Sequence, residues 1–529
     1  MKRLLCFVLL LALIGGLLAG CAGGGTTTTT GTTADTTKGD GTTAPGETGD
    51  LDPVTLTWIS TPDDDPNTAN VMAKINEILG EKINATLDLM RILPAEYSQQ
   101  LSIYLTSGQD LDLCRVTQGY GYNSYVAQGA FTPLNDLIDQ YAPALWDIVP
   151  EGAWGAATYN DNIYAVVPYK DLAANWGLLY NGDMVDETGV EVPDWVTLFD
   201  LIPFFEEIKA ARDNLHPEWA DLPIISGLAG TYIELYYPNE MIANVAAVQV
   251  SGYEFFKGQG DGETVFNIYA TDEYRNVAKL AKKYVDEGLA PYGKFDEDQA
   301  IFNSGALIGV LPQGYIEIRE DMYPFTTRLK PANLSIMSTA YVQACMNAIP
   351  VQSKNPERTM MLLNLLNTDK ELGTLIRFGI EGEDYALEEN GHLDPYKGSN
   401  NAGVTSMNDL SYYIWYGHHF GNITNTVLPN QVTDQFTTKL AALNDNSHQD
   451  GNIGFIMDPE PITNEIAACA NIISEYHNNT YLMGGMVEDV DTAVDEFVAK
   501  LEANGSQKIV DEIQKQLTEW RKSVGKPTK

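Results

Sequence analysis

The chain has 529 residues, with 72 acidic against 32 basic side chains and a formal net charge of -40. Such an excess excludes partners that need a basic surface, nucleic acid and anionic lipid among them. It suits a soluble, self-repelling surface and a neutral or cationic ligand.

Lys2 and Arg3 form a basic tip, 4–18 is almost wholly apolar, and the small residues Ala19 and Gly20 precede Cys21. That run has the size of a signal-peptide core and falls short of the roughly 20 residues of a spanning helix. Leu18-Ala19-Gly20-Cys21 resembles a bacterial lipobox. The resemblance implies a signal peptide over 1–20, cleavage before Cys21 and lipid (palmitate) on the new N-terminal cysteine. The competing reading is an ordinary signal peptide with Cys21 beside its cleavage site. Residues 21–52 are Thr, Gly and Asp with little else, too polar to offset the entropy of ordering, and read as a solvated tether. No other segment approaches 18 uninterrupted apolar residues, so the membrane is reached by the lipid anchor alone.

About 480 residues follow the tether, more than one ordinary core organises, so two lobes or more are expected. "VTLTWIS" reads as a strand, "ANVMAKINEILGEKI" as a helix with Val71, Ile75, Ile78 and Leu79 at helical spacing, and "ATLDLMRI" as a second strand. "YSQQLSIYLTSG" reads as a helix closed by Gly108, and "LDLCRVT" as a third strand. This βαβαβ order predicts a mostly parallel α/β sheet with right-handed crossovers. Further on, "IYAVVPYKDLAANWGLLYNGDMVDETGV" gives two strands around a loop, then a helix. "DEYRNVAKLAKKYVDEGL" is an amphipathic helix capped by Thr271, with Val277, Leu280, Ala281, Tyr284 and Val285 on its apolar face. "NPERTMMLLNLLNTD" is a helix with Asn355 as N-cap and Pro356 first. At the end stand two helices, with Thr492 and Ser506 as N-caps, Gly505 as a stop, and a stripe of Ile509, Val510, Ile513, Leu517 and Trp520 that packs on the body.

Cys114, Cys345 and Cys469 lack metal or redox spacing and sit in apolar contexts, so buried small hydrophobes are expected, with a Cys114–Cys345 bridge as the alternative.

Several of these pieces in this order resemble the extracellular solute-binding proteins of ABC importers, of the large carbohydrate-binding kind. They are the lipobox, "VTLTWIS", "IYAVVPYKD" with "WGLLYN", the Phe302, Gly305, Ala306 element and "NPERTMMLLNLL". "FGIEGEDYAL" (378–387), "FGNIT" (420–424), "GFIMDPEPITNEIAACANII" (454–473) and "IVDEIQKQLTEW" (509–520) resemble a narrower subgroup of Gram-positive lipoproteins. The resemblance implies a two-lobed, periplasmic-binding-protein-like fold of type II with hinge-linked α/β lobes and a helical C-terminal extension. It divides the body into a first lobe of 53–168 plus about 296–350, a second of 169–295 plus about 351–450, and a C-terminal region of 451–529. It also implies a lipid-anchored monomer on the outer face of the cell membrane that hands its cargo to permease subunits, with no cofactor, metal or covalent chemistry.

In such a fold the ligand sits beyond the C-terminal strand ends, where closure buries it. A sugar needs flat aromatic faces and planar hydrogen-bonding groups. The candidates at strand-end loops are Asp64, Asp65, Gln118, Tyr120, Tyr169, Asp171, Trp176, Tyr232, Gln313, Tyr315, Glu381, Tyr385 and Trp415. Gln313, Tyr315 and Trp176 lead, since they directly follow apolar strand-like runs. Asp64 and Asp65 have the alternative role of capping the helix near Pro66, and Glu381 that of a hinge contact.

A catalytic reading finds no G-x-S-x-G, HExxH or P-loop signature. The adjacent His418 and His419 cannot share a helix face at metal-ligand spacing and read as part of an aromatic surface loop. Peptide cargo, a surface glycoside hydrolase and an adhesin are the competing functions, though no internal repeat supports an adhesin.

Overall fold

The computed structural model describes residues 51–61, 65–173, 176–225, 237, 239–251, 260–289, 301–310, 320, 323–414, 418–477 and 481–528. Cys21 and the tether up to residue 50 therefore lie outside the described residues.

The first three strands form as their alternation predicts. β1 (Val54–Ser60), β2 (Ala85–Arg91) and β3 (Leu113–Val116) run parallel, with Val54 opposite Ala85, Ser60 opposite Arg91 and Trp58 opposite Leu113. α1 (Thr68–Ile83) and α2 (Pro94–Ser107) make the crossovers. α1 buries Val71, Ile75, Leu79 and Ile83, an i, i+4 stripe, and α2 stops at Gly108 in the left-handed region, φ 69. The strand Met346–Ala348 joins this sheet antiparallel, on the free edge of β3.

The second half is built differently. Strand Gly177–Asn181 pairs antiparallel with Gly309–Val310 and Thr327–Pro331. Asn239–Ile242, Ala246–Gln249 and Val265–Asn267 form an antiparallel meander. The parallel expectation thus describes the first sheet and not these two.

Buried side chains form two large cores. One runs from Leu56 to Ala173 and from Met337 to Phe420. The other runs from Trp176 to Ile308 and from Phe455 to Leu517. The chain crosses between Ala173 and Trp176, between Ala332 and Met337, and between Ile453 and Phe455. Just before the last two crossings complete, Ile336–Met337 pairs in parallel with His448–Gln449. This corrects the expected lobe boundaries. The segment around Gly309–Val310 and Thr327–Pro331 belongs with the second core, and residues 360–420 with the first. The cause is local: once Met346–Ala348 joins the first sheet, the helix Pro356–Thr368 after it packs on α1 and on Asn135–Tyr141.

Helix Asp272–Asp286 is capped by Thr271, whose side chain accepts from the Tyr274 N–H at 3.1 Å. At Pro356–Thr368, Asn355 holds the N-cap position, but its side-chain amide donates to Asp112 Oδ1 at 3.2 Å. The C-terminal helices Val490–Ala503 and Ser506–Ser523 pack on the second core, with Ile509, Val510, Ile513 and Leu517 buried and Trp520 against them. Their caps are Asp489 and Gly505 rather than Thr492 and Ser506. The Asp489 carboxylate reaches the Asp491 N–H at 3.0 Å, one turn ahead of the threonine. Cys114, Cys345 and Cys469 are buried free thiols, so the Cys114–Cys345 alternative is not realised.

Candidate functional site: the cationic floor between the lobes

Just after β3 the Gln118 N–H donates to the Gln343 carbonyl at 3.2 Å, a few residues past the second crossing, and open parallel sheets receive ligands beyond such strand ends. After β3, Thr117 caps the turn Gln118–Tyr120, its Oγ1 accepting from the Tyr120 N–H at 3.0 Å. Gln118 is exposed and Tyr120 half-buried. The Tyr120 ring tilts against Tyr97, centroids 4.7 Å apart. The Tyr97 hydroxyl donates to the carbonyls of Ile59 at 3.0 Å and Arg115 at 2.8 Å, which ties the ends of β1 and β3 together.

Arg115 is half-buried within β3. Its guanidinium donates to Thr61 Oγ1 and lies 5.5 Å from the centre of the Tyr120 ring. Lys170, 4% exposed, stands at the start of the first crossing. Its ammonium donates to the carbonyls of Asp171 at 2.6 Å and Tyr341 at 3.3 Å. Arg377, 1% exposed, ends the helix Lys370–Phe378, and burial pulls its guanidinium down to about 10. The buried Cys345 thiol lies within electrostatic reach of all three cations: burial pushes its pKa up, and Arg115, Lys170 and Arg377 pull it back.

His419 is fully buried, edge-on to Trp58 at 6.1 Å and against Phe420 at 4.0 Å. His418 is half-buried beside it. Burial lowers both imidazoles well below the usual histidine value, and Arg377 and Arg115 lower them further. The expectation of surface histidines is corrected: Asn347 on the returning strand donates to the His419 carbonyl at 2.6 Å and draws the loop inward. Among the described residues, the one carboxylate within ion-pair distance of Arg115 or Lys170 is Asp171, whose Oδ1 lies 3.9 Å from the Lys170 ammonium. Burial raises the Asp171 carboxyl, and Lys170 opposes the rise.

A second buried polar centre lies beside α1. Asp384 accepts from Asn67 Nδ2 at 2.9 Å, Ser411 Oγ at 2.6 Å and the Ile380 N–H at 2.8 Å. Gly379, at φ +80, is pressed against it: a Cβ there would stand 2.3 Å from Asp384 Oδ2. This explains "GIEGEDY" as a structural knot. In the "FGNIT" stretch Gly421, φ +105, leaves no room for a Cβ, which would meet the Leu366 carbonyl at 2.1 Å.

The predicted ligand residues separate accordingly. Gln118, Tyr120 and Asp171 belong to the floor. Tyr169 packs beside a small satellite cluster of Ile423, Val432, Phe436 and Leu440, and burial raises its hydroxyl. Asp65 pairs with Arg91 at 3.0 Å and takes the Thr68 hydroxyl onto its own N–H at 2.9 Å, so it serves the start of α1. Trp176, at 6% exposure, is part of the second core, where its ring packs on protein rather than standing open. Glu381 and Tyr385 line a separate cavity of about 640 Å³ along α1, with Lys74, Glu77 and Lys370. Burial pushes the Tyr385 hydroxyl up to about 12, and Glu381 adds to the rise. Asp64, Tyr232, Gln313, Tyr315 and Trp415 lie outside the described residues. Arg115, Lys170 and Arg377 were not among the sequence candidates. The available signal was an arginine between Cys114 and Val116 in a short buried strand.

Residues 452–522 match the family described as a domain of unknown function, DUF3502. Over 471 residues the chain is 24% identical to a carbohydrate ABC transporter substrate-binding protein of Streptococcus pneumoniae, covering 86% of this chain and 89% of the relative. The crystal structure of the N-glycan transport solute binding protein NgtS from Streptococcus pneumoniae superposes with a TM-score of 0.71 at 22% identity, covering 89% of this chain and 99% of that one. The chain has the type II solute-binding fold. A human-milk-oligosaccharide (HMO) binding solute-binding protein of Bifidobacterium longum infantis shares it, at TM-score 0.53 and 15% identity over 88% of this chain and 99% of that one. Among the described residues no helix is long and apolar enough to cross a membrane, and no group of three His, Cys, Asp or Glu is placed to hold a metal ion.

Proposed function

We propose that this chain is the substrate-binding protein of an ABC importer, capturing an oligosaccharide between its lobes and presenting the closed complex to a permease. The observation that carries the reading is the likeness, over 86% of the chain, to a carbohydrate ABC transporter substrate-binding protein. The floor supports it: the half-buried Tyr120 ring and the exposed Gln118 amide share the turn after β3, and the Asp171 carboxylate stands at the first crossing, groups of the kinds that a sugar's faces and hydroxyls need. Closure about the three crossings would bury the cargo, and only differential affinity for the closed form makes that shape a signal. Lipid on Cys21 and the polar tether would hold a monomer at the outer membrane face while leaving the lobes room to close. Binding, release and closure require no covalent step, and the chain acts as a carrier rather than a hydrolase.

A thermal-shift screen of the body from residue 47 against oligosaccharides and short peptides tests this. A ligand at 100 times its Kd stabilises by about 2.7 kcal/mol. Sugar responses without cleavage products support the reading; peptide responses alone, or released products, overturn it.

A further inference from the structure

We propose that the cargo is an acidic glycan, and that its oxyanion substituent, a carboxylate or a sulfate, is received by Arg115 and Lys170 on the floor between the lobes. The inference rests on the carbohydrate reading above and sharpens it to a substrate class.

Whole-protein composition argues the opposite way, which makes the local arrangement informative. A chain of net charge -40 has acidic side chains to spare. Yet Arg115, Lys170 and Arg377 converge within electrostatic reach of one buried thiol. Asp171 is the one described carboxylate at ion-pair distance from Arg115 or Lys170, at 3.9 Å from the latter. Buried charge is costly unless paired and hydrogen-bonded. Among the described residues, the partners of Arg115 are neutral, namely the Thr61 hydroxyl, the Cys345 thiol and the Tyr120 ring face. Lys170 spends its donors on two carbonyls.

The residues that hold Arg115 are those best placed to meet a sugar. Tyr120 presents a ring beneath the guanidinium, and Gln118 stands exposed two residues before it. Arg115 retains partial exposure while Lys170 is 4% exposed, so the arginine is the group an incoming anion reaches first. A guanidinium fork matches a planar carboxylate or a sulfate edge, which Lys170 then neutralises from the crossing segment. Because Lys170 lies on a segment that joins the lobes, bringing an anion to it couples charge recognition to the segment that closure must bend.

The test pairs each acidic glycan with its neutral counterpart. Calorimetric titrations use tetragalacturonate against its carboxyl-reduced form, 3′-sialyllactose against lactose, and lactose 3′-sulfate against lactose. The proposal predicts that at least one acidic member binds the wild-type protein roughly 10- to 100-fold more tightly than its neutral counterpart, the range of a charge-assisted contact. It predicts that Arg115→Gln lowers the ratio of acidic to neutral affinity at least about 10-fold, whatever it does to the affinity for the neutral member. Which pair responds separates carboxylate from sulfate. Neutral members binding as well as acidic ones, or an undiminished preference in Arg115→Gln, overturns the proposal and leaves the carbohydrate reading standing. Peptide binding with no glycan bound overturns the carbohydrate reading itself. The wild-type comparison of each acid with its neutral form decides the matter even if the variant fails to fold.

Discussion

The first lobe holds two buried polar centres that differ in how far they are satisfied. At the Asp384 knot, one carboxylate takes hydrogen bonds from Asn67, Ser411 and the Ile380 N–H, and glycine at 379 lets the backbone close over it. On the floor, Arg115 is held by a hydroxyl, a thiol and a ring face. A saturated buried charge fixes structure. An under-compensated one at a junction between lobes is poised for a partner from outside. The contrast implies that damage to the knot is felt in stability and damage to the floor in binding.

Breaking the knot gives the largest effect. Asp384→Ala strands the Asn67 amide and the Ser411 hydroxyl, and should cost about 3–5 kcal/mol of unfolding free energy by denaturant titration. A loss under 1 kcal/mol would show that the knot is not structural. Gly421→Ala, forced to φ +105 against the Leu366 carbonyl, should cost about 2–4 kcal/mol in the same assay.

The buried imidazoles give a smaller, pH-dependent effect. Burial, then the neighbouring arginines, depress both below the ordinary value of 6.5. Beneath pH 6.5 the unfolded chain therefore takes up protons that the folded chain refuses. Stability from this source is complete above pH 6.5 and declines as pH falls, by at most about 1.4 kcal/mol per pH unit for each residue. The difference between wild type and His419→Gln, measured at pH 5, 6 and 7.5, isolates it. Curves that stay parallel across that range would contradict a depressed His419. Smallest of all is the stability change in Arg115→Gln, within about 1 kcal/mol, because removing a poorly compensated buried charge is near neutral.

Local pattern made much of the fold legible. The order of β1, α1, β2, α2 and β3, the Gly108 stop and the Thr271 cap each follow from a few neighbouring residues. Assignment to lobes did not, since it depends on which sheet edge Met346–Ala348 joins, a contact with β3 some 230 residues earlier. The expected N-caps lie one to three residues late; at the first, the Asp489 carboxylate accepts from the N–H groups of Asp491 and Thr492 and from the Thr492 hydroxyl, so the helix begins before the threonine. The burial of Trp176 in the second core was not legible for a related reason: a tryptophan just before a buried strand reads alike whether its ring faces a ligand or a core. Tyr120 and Asp171 entered the candidate set by residue type and position, whereas Arg115 and Lys170 did not, because a search for sugar-stacking rings gives no weight to charge.

The central claim is that cargo binds on the floor between the lobes and not in the cavity beside α1. Hydrogen exchange with and without the tightest-binding oligosaccharide tests it most directly. Protection is predicted to rise over 113–121 and 168–172, at the strand end and the first crossing, with 374–385 unchanged. Protection centred on 374–385 and the neighbouring turns of α1, with the floor unchanged, would contradict it.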